Sequence, residues 1–184
     1  ISHNHPDHLH PKSLEYLRKD MPILTAGFIT KSTLNLLKEF GFKDITTMDF
    51  SSRFVQENNE FSIAVLKSGD FREDSGLLFE IGEFTGLLTV DSNLINLGKL
   101  PDVDILASSF AGGTSGFPLC FENYIQSERK KIIERNRKAK LSTNLKTIKL
   151  SKPKYFMPYA GFFTEKAERD QYIKKWIIRI LHKT

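Results

Sequence analysis

The sequence predicts an α+β sandwich, with mixed sheets covered by helices. Segment order carries the prediction: helix, strand and helix come first, then a run of strands, then strand, helix, strand and helix. The size of the available core supports it, since 184 residues with 40% hydrophobic content and 15 phenylalanines can fill a layered interior. The chain also lacks an internal repeat, a low-complexity tract or a linker that would divide it.

PKSLEYLRKD predicts a short helix with Pro11 near its start, PILTAG a short strand, and TKSTLNLLKEFG a second helix. In that helix Leu34, Leu37 and Phe40 recur at helical spacing, and Gly41 ends it. ITTMDF reads as a strand, and FSIAVLKSG alternates apolar and polar side chains as strands do. GLLFEIGEFTGLLTVD predicts a hairpin of two apolar strands around Gly82–Gly86. DVDILASS is a buried-type strand running into the glycine-rich loop FAGGTSGFP. A long helix follows over about Asn123 to Lys140, then the strand KYFMPYAG and the closing helix EKAERDQYIKKWIIRILHK. One domain over residues 1–184 is expected, as a segment of a longer protein, because the histidine motif leaves almost no room for a supporting strand before it.

Composition excludes several classes of function. The most apolar stretch is interrupted by Glu80 and Glu83, so no membrane span is expected. The first residues do not resemble a secretory signal, and Cys120 is the only cysteine, which suits a reducing cytoplasm. The net charge of +5 is uneven: Ile1–Phe121 carries 10 Lys+Arg against 16 Asp+Glu, and Glu122–Thr184 carries 17 against 6. Amphipathic helices with solvated basic faces explain this better than nucleic-acid binding, for which no motif is present.

Four of the five histidines fall in ISHNHPDHLH. Neutral imidazoles and carboxylates are the usual ligands of zinc, iron or manganese. In H-x-H-x-D-H, the alternate side chains His3 and His5 can converge on one ion, while Asp7 and His8 turn toward a second ion about 3.5–4 Å away. Pro6 stiffens the loop. The bland alternative is an exposed histidine-rich arm. Histidines alone leave cationic charge uncompensated, so carboxylates must arrive from elsewhere. Asp91 at the end of GLLTVD is the best candidate, against a turn-forming role in DSN. Asp70 in KSGDFRED could complete the first ion's shell, with Asp74 as its competitor.

These residues resemble the metallo-β-lactamase fold. ILASSFAGGTSGFPLCF, SERKKIIERNRKAKL and KYFMPYAGFFTE are similar, in order, to the cytidine monophosphate-N-acetylneuraminic acid hydroxylases and their bacterial relatives. The resemblance spans about Ile1 to Glu165 and implies an αβ/βα sandwich with metal at one rim, here lacking the fold's N-terminal strands. It implies one ion on His3 and His5, a second on Asp7 and His8, and Asp91 between them. Asp70 stands where the hydroxylase carries a histidine, and a carboxylate there favours iron or manganese over zinc. The superfamily's late histidine is missing near Tyr159, and His182 on the closing helix is a poor substitute.

The resemblance further implies one or two ions of iron or zinc, hydroxylation of a nucleotide-linked sugar, and an electron-transfer partner. A Rieske iron–sulfur centre needs two cysteines and two histidines, so it either lies outside this chain or is missing altogether. Gly112, Gly113, Thr114 and Ser115 could bring main-chain N–H groups and hydroxyls to an anionic substrate, with Tyr159 as a further contact. Arg129 or Lys130 could meet the same anion. The alternatives are a metal-dependent hydrolase acting on a phosphoester, lactone or amide, with Asp7 orienting the water, and a binding module with a degenerate site.

Overall fold

The computed structural model of the chain describes residues 1–50, 52–57, 60–109, 117–118 and 121–160. The expected closing helix, Cys120, His182 and the loop residues Gly112–Ser115 lie outside them.

A short helix α1 (Pro11–Glu15) leads into β1 (Ile23–Ala26), α2 (Ser32–Glu39) and β2 (Ile45–Met48). β1 and β2 pair in parallel, which the crossover through α2 makes possible. Gly41 closes α2 from the left-handed region at φ +83°, a conformation that costs glycine little. A second sheet holds β3 (Arg53–Val55), β4 (Phe61–Lys67), β5 (Ser75–Ile81), β6 (Phe84–Leu88), β7 (Ile105–Ser109) and β8 (Tyr155–Tyr159) in that order. β3 to β6 are antiparallel, whereas β7 and β8 join in parallel after long connections, the second through α3 (Gln126–Ser151).

Strand alternation builds the layers. On β4, Ala64 and Leu66 face a core with Leu78, Leu87, Leu106 and Ile148 of α3, whereas Ile63 and Val65 face Ala26, Phe28 and Met48. The far side of β1–β2 is covered by Leu14 and Leu37 from the first two helices. The result is helix, sheet, sheet, helix: the αβ/βα arrangement of the metallo-β-lactamase fold. No helix among the described residues is long and apolar enough to cross a membrane.

Two expected elements, the long helix and the hairpin, differ from expectation. α3 runs on to Ser151 through LSTNLKTIKLS, whose Ser, Thr and Asn residues are weak helix formers. There the hydroxyls of Thr143, Thr147 and Ser151 donate to carbonyls one turn back, at 3.0, 3.0 and 2.8 Å. Ile125, immediately before α3, is 65% exposed, and its amide donates to the Glu128 carboxylate at 3.1 Å. The hairpin turn is Gly82–Glu83, and Gly86 lies within β6 against the Phe79 ring.

Gly76 in β5 tests the packing. A Cβ there would lie 2.7 Å from the Leu88 main-chain oxygen and against Ile95. Gly76→Ala is expected to destabilise the fold by about 1–3 kcal/mol, read from the urea midpoint. An unchanged midpoint would contradict the close approach of β5 and β6.

Candidate metal centre

The amino-terminal loop is tied down before it reaches its histidines. The Ser75 hydroxyl donates to the Ser2 carbonyl at 2.7 Å, and Thr25 Oγ1 donates to the Ile1 carbonyl at 3.3 Å. The loop then turns back on itself, with the amides of His8 and Leu9 donating to the His5 carbonyl at 2.9 and 2.8 Å. Leu9 is buried in the core beneath α1 and α2, so the turn cannot swing outward without exposing it.

The carboxylates arrive from the large sheet. β5 and β6 are antiparallel, so the entry to β5 and the exit from β6 share one rim. Asp74 immediately precedes β5, and Asp91 follows β6 after a kink at Val90. Val90 adopts φ +50°, a conformation a β-branched residue rarely accepts, and one that costs on the order of 1–3 kcal/mol. That strain is stored at the residue that turns Asp91 out of the sheet.

His3 sits between the two carboxylates and is completely buried. Its Nε2 lies 3.7 Å from Asp74 Oδ1, 3.9 Å from Asp91 Oδ2 and 3.0 Å from His5 Nδ1. Its Nδ1 lies 3.1 Å from Ser2 Oγ, a partner that can accept the ring proton and leave the Nε2 lone pair facing the carboxylates. His5 Nδ1 is 4.0 Å from Asp74 Oδ1, and His8 Nε2 is 3.5 Å from both Asp91 Oδ2 and Asp7 Oδ2. Two groups with metal-holding geometry result: His3, His5 and Asp74, and His3, His8 and Asp91.

The donor set fits a cation. Two ligands each about 2.0–2.1 Å from one ion lie roughly 3–3.4 Å apart, as His3 Nε2 and His5 Nδ1 do. A nitrogen carries one lone pair, so Nε2 of His3 can serve one ion only. A second ion would rest on His8 and Asp91, whereas Asp7, expected there, is 75% exposed, lies 3.5 Å from His8 and belongs to neither group. Asp91 lies between the two positions.

Sequence reasoning placed Asp70 at the first ion, yet the structure brings Asp74 to the histidines. Asp70 is turned away: its Oδ1 accepts from Ser68 Oγ at 2.9 Å, and its Oδ2 from Asn93 Nδ2 and Arg72 Nε, both at 3.0 Å. Burial alone raises its pKa, but these hydrogen bonds outweigh that and hold the carboxyl below its ordinary value. Tyr159, at the end of β8, lies beside Thr89 and Asp91; burial pushes its hydroxyl up, against hydrogen bonds with Thr89 and Val90.

Lys140 was not singled out by sequence. It lies one turn before Asn144, whose side chain accepts from Ser108 Oγ at 2.9 Å and donates to the Ser109 carbonyl at 3.2 Å. This face of α3 therefore meets the sheet rim beside Asp91. Burial pushes the Lys140 ammonium below its ordinary pKa, with Asp91 opposing the shift and Arg72 reinforcing it. Among the nine Lys and Arg residues of α3, only the fold reveals that Lys140 is drawn toward the rim.

Burial also pushes the His3 imidazolium below its ordinary 6.5, partly countered by Asp74. Below that value the unfolded chain binds the proton and the folded one does not, so stability falls as pH drops through it. The metal-free chain is expected to lose urea resistance as pH falls through the ordinary histidine value of 6.5, and His3→Asn should flatten the loss. A parallel pH profile in the variant would contradict the burial of a neutral His3.

No protein-family model matches the chain. It is 35% identical over 184 residues to the cytidine monophosphate-N-acetylneuraminic acid hydroxylase of Danio rerio, covering 95% of this chain and 31% of that protein. The Mus musculus protein of the same name is 31% identical over 183 residues, again with 95% of this chain covered. The chain thus spans about a third of the length of these relatives. CmlA, a diiron β-hydroxylase from Streptomyces venezuelae, superposes with TM-score 0.61 at 18% identity, covering 87% of this chain and 34% of CmlA. A Parabacteroides distasonis protein described as a metal-dependent hydrolase gives TM-score 0.58 at 18% identity, covering 96% of this chain and 71% of that one. At that identity both likenesses speak for the fold alone. The chain has the metallo-β-lactamase fold and is similar in sequence to the cytidine monophosphate-N-acetylneuraminic acid hydroxylases.

Proposed function

We propose that the chain is the metal-binding part of an oxidoreductase that hydroxylates a nucleotide-linked sugar, as the name of its relatives describes. One observation carries this reading: a buried His3 flanked by Asp74 and Asp91, in a chain 35% identical to a hydroxylase over 95% of its residues. When bound, iron would supply the redox chemistry that activates dioxygen. In this reading His3, His5 and Asp74 hold one ion, while Asp7 and His8 hold a second, with Asp91 reaching toward both. Asp7, exposed beside His8, is the group able to hand a proton to or from water at this rim.

The substrate in this reading is anionic. Lys140 brings a positive charge to the Asp91 side of the centre, and Tyr159 brings a hydroxyl. Gly112, Gly113, Thr114 and Ser115, outside the described residues, are assigned to the same substrate by the sequence pattern. Electrons would come from a Rieske centre or another redox partner beyond this chain, which we read as one domain over residues 1–184.

Metal content and reductant dependence test the reading. Chain expressed with iron and zinc both supplied is expected to retain iron, and His5→Ala to lose most of it. Zinc retention, with reductant-free turnover of a phosphoester, lactone or amide, would replace hydroxylation by hydrolysis.

A further inference from the structure

The guanidinium of Arg72 lies behind both metal-holding groups at once. Nη1 lies 2.9 Å from Asp74 Oδ2 in an ion-pair contact without hydrogen-bond alignment, so this buried oxygen is held by charge alone. Nη2 donates to the Asp91 main-chain carbonyl at 2.9 Å. Nε donates to Asp70 Oδ2 at 3.0 Å, and the Arg72 amide donates to Asp70 Oδ1 at 3.2 Å. The three nitrogens of one planar group therefore meet three residues, Asp70 and Asp91 through hydrogen bonds and Asp74 through charge, and the last two belong to different metal-holding groups.

Asp70 is held in turn by the loop that carries Asp91. Asn93 Nδ2 donates to it at 3.0 Å, and Ser68 Oγ, which accepts from the Asn93 amide at 3.0 Å, donates to it at 2.9 Å. Gly69 lets the two loops meet: its amide donates to the Asn93 carbonyl at 2.7 Å, and a Cβ there would stand 2.6 Å from the Leu94 oxygen. The loops before β5 and after β6 are thus fastened through Asp70 and Arg72.

We propose that Arg72, oriented by Asp70, is a positioning residue that presents Asp74 to the metal through a single oxygen and fixes the main chain of Asp91. The proposal rests on the metal-centre reading above. The physical logic is that of outer-shell partners generally. A guanidinium charge beside one oxygen of a carboxylate favours the orientation that keeps that oxygen toward it, and Asp74, only 1% exposed, has no water shell to do that work. A cation so close to a metal site would repel the metal if unpaired. Asp70 neutralises it, which leaves the charge of Asp74 and Asp91 for the ion. This gives Asp70 a role without placing it against the metal. A lysine at position 72 would keep the charge beside Asp74 but could not also hold Asp70 and the Asp91 carbonyl along fixed directions.

Co2+ titration of the 184-residue chain, followed by visible absorption and by competition with a chelating dye, provides the test. Arg72→Lys is expected to weaken Co2+ binding by about 10–100-fold and to change the absorption bands, because the Asp74 coordination changes. Asp70→Asn is expected to weaken binding in the same direction, through loss of orientation and an uncompensated guanidinium. Wild-type affinity in both variants would overturn the proposal, as would weaker binding with an unaltered spectrum, which is the mark of general destabilisation. A wild-type chain that takes up no Co2+ would overturn the metal centre itself, and this proposal with it.

Discussion

The antiparallel pairing of β5 with β6 is the constraint on which the rest depends. It brings the residue before one strand and the residue after the next to a common rim, so Asp74 and Asp91 converge though 17 positions apart. Neither loop would achieve this alone. The same strand start anchors the histidines, because Ser75 binds the Ser2 carbonyl directly beside Asp74. Registry of β5 therefore sets where both halves of the donor set stand. A slip of one residue would turn Asp74 to the opposite face of the sheet.

Electrostatics explains why this rim is costly without a cation. His3 and Asp74 are both buried, and two imidazole nitrogens face each other at 3.0 Å beside two carboxylates. Buried charges of like sign raise each other's cost, and burying polar groups is offset only when each finds a partner. Arg72 supplies part of that compensation to Asp74, and Ser2 supplies part to His3. The left-handed turn at Val90 adds backbone strain at the same place. Such a concentration of cost at one rim, inside a well-packed sandwich, is the pattern expected of a site kept for its chemistry.

Much of this was legible in the sequence because it is local. The histidine motif, the alternation of β4, the glycine end of α2 and the strand-terminal Asp91 are all read over a few neighbouring residues. Asp74 was not distinguishable from Asp70, since both lie in one acidic loop and only the start of β5 decides which reaches the histidines. The last turns of α3 were missed because Ser, Thr and Asn favour turns, yet here their side chains bond within the helix and to β7. Lys140 and Arg72 acquire meaning only through contacts made across the fold. Long-range partners leave no period in a sequence.

Anomalous diffraction from crystals of the chain grown with Co2+ or iron would test the metal centre most directly. A peak about 2.0–2.2 Å from His3 Nε2, His5 Nδ1 and Asp74 Oδ1 is the predicted result. Full-occupancy density elsewhere, with the two imidazoles still hydrogen-bonded to each other, would contradict it.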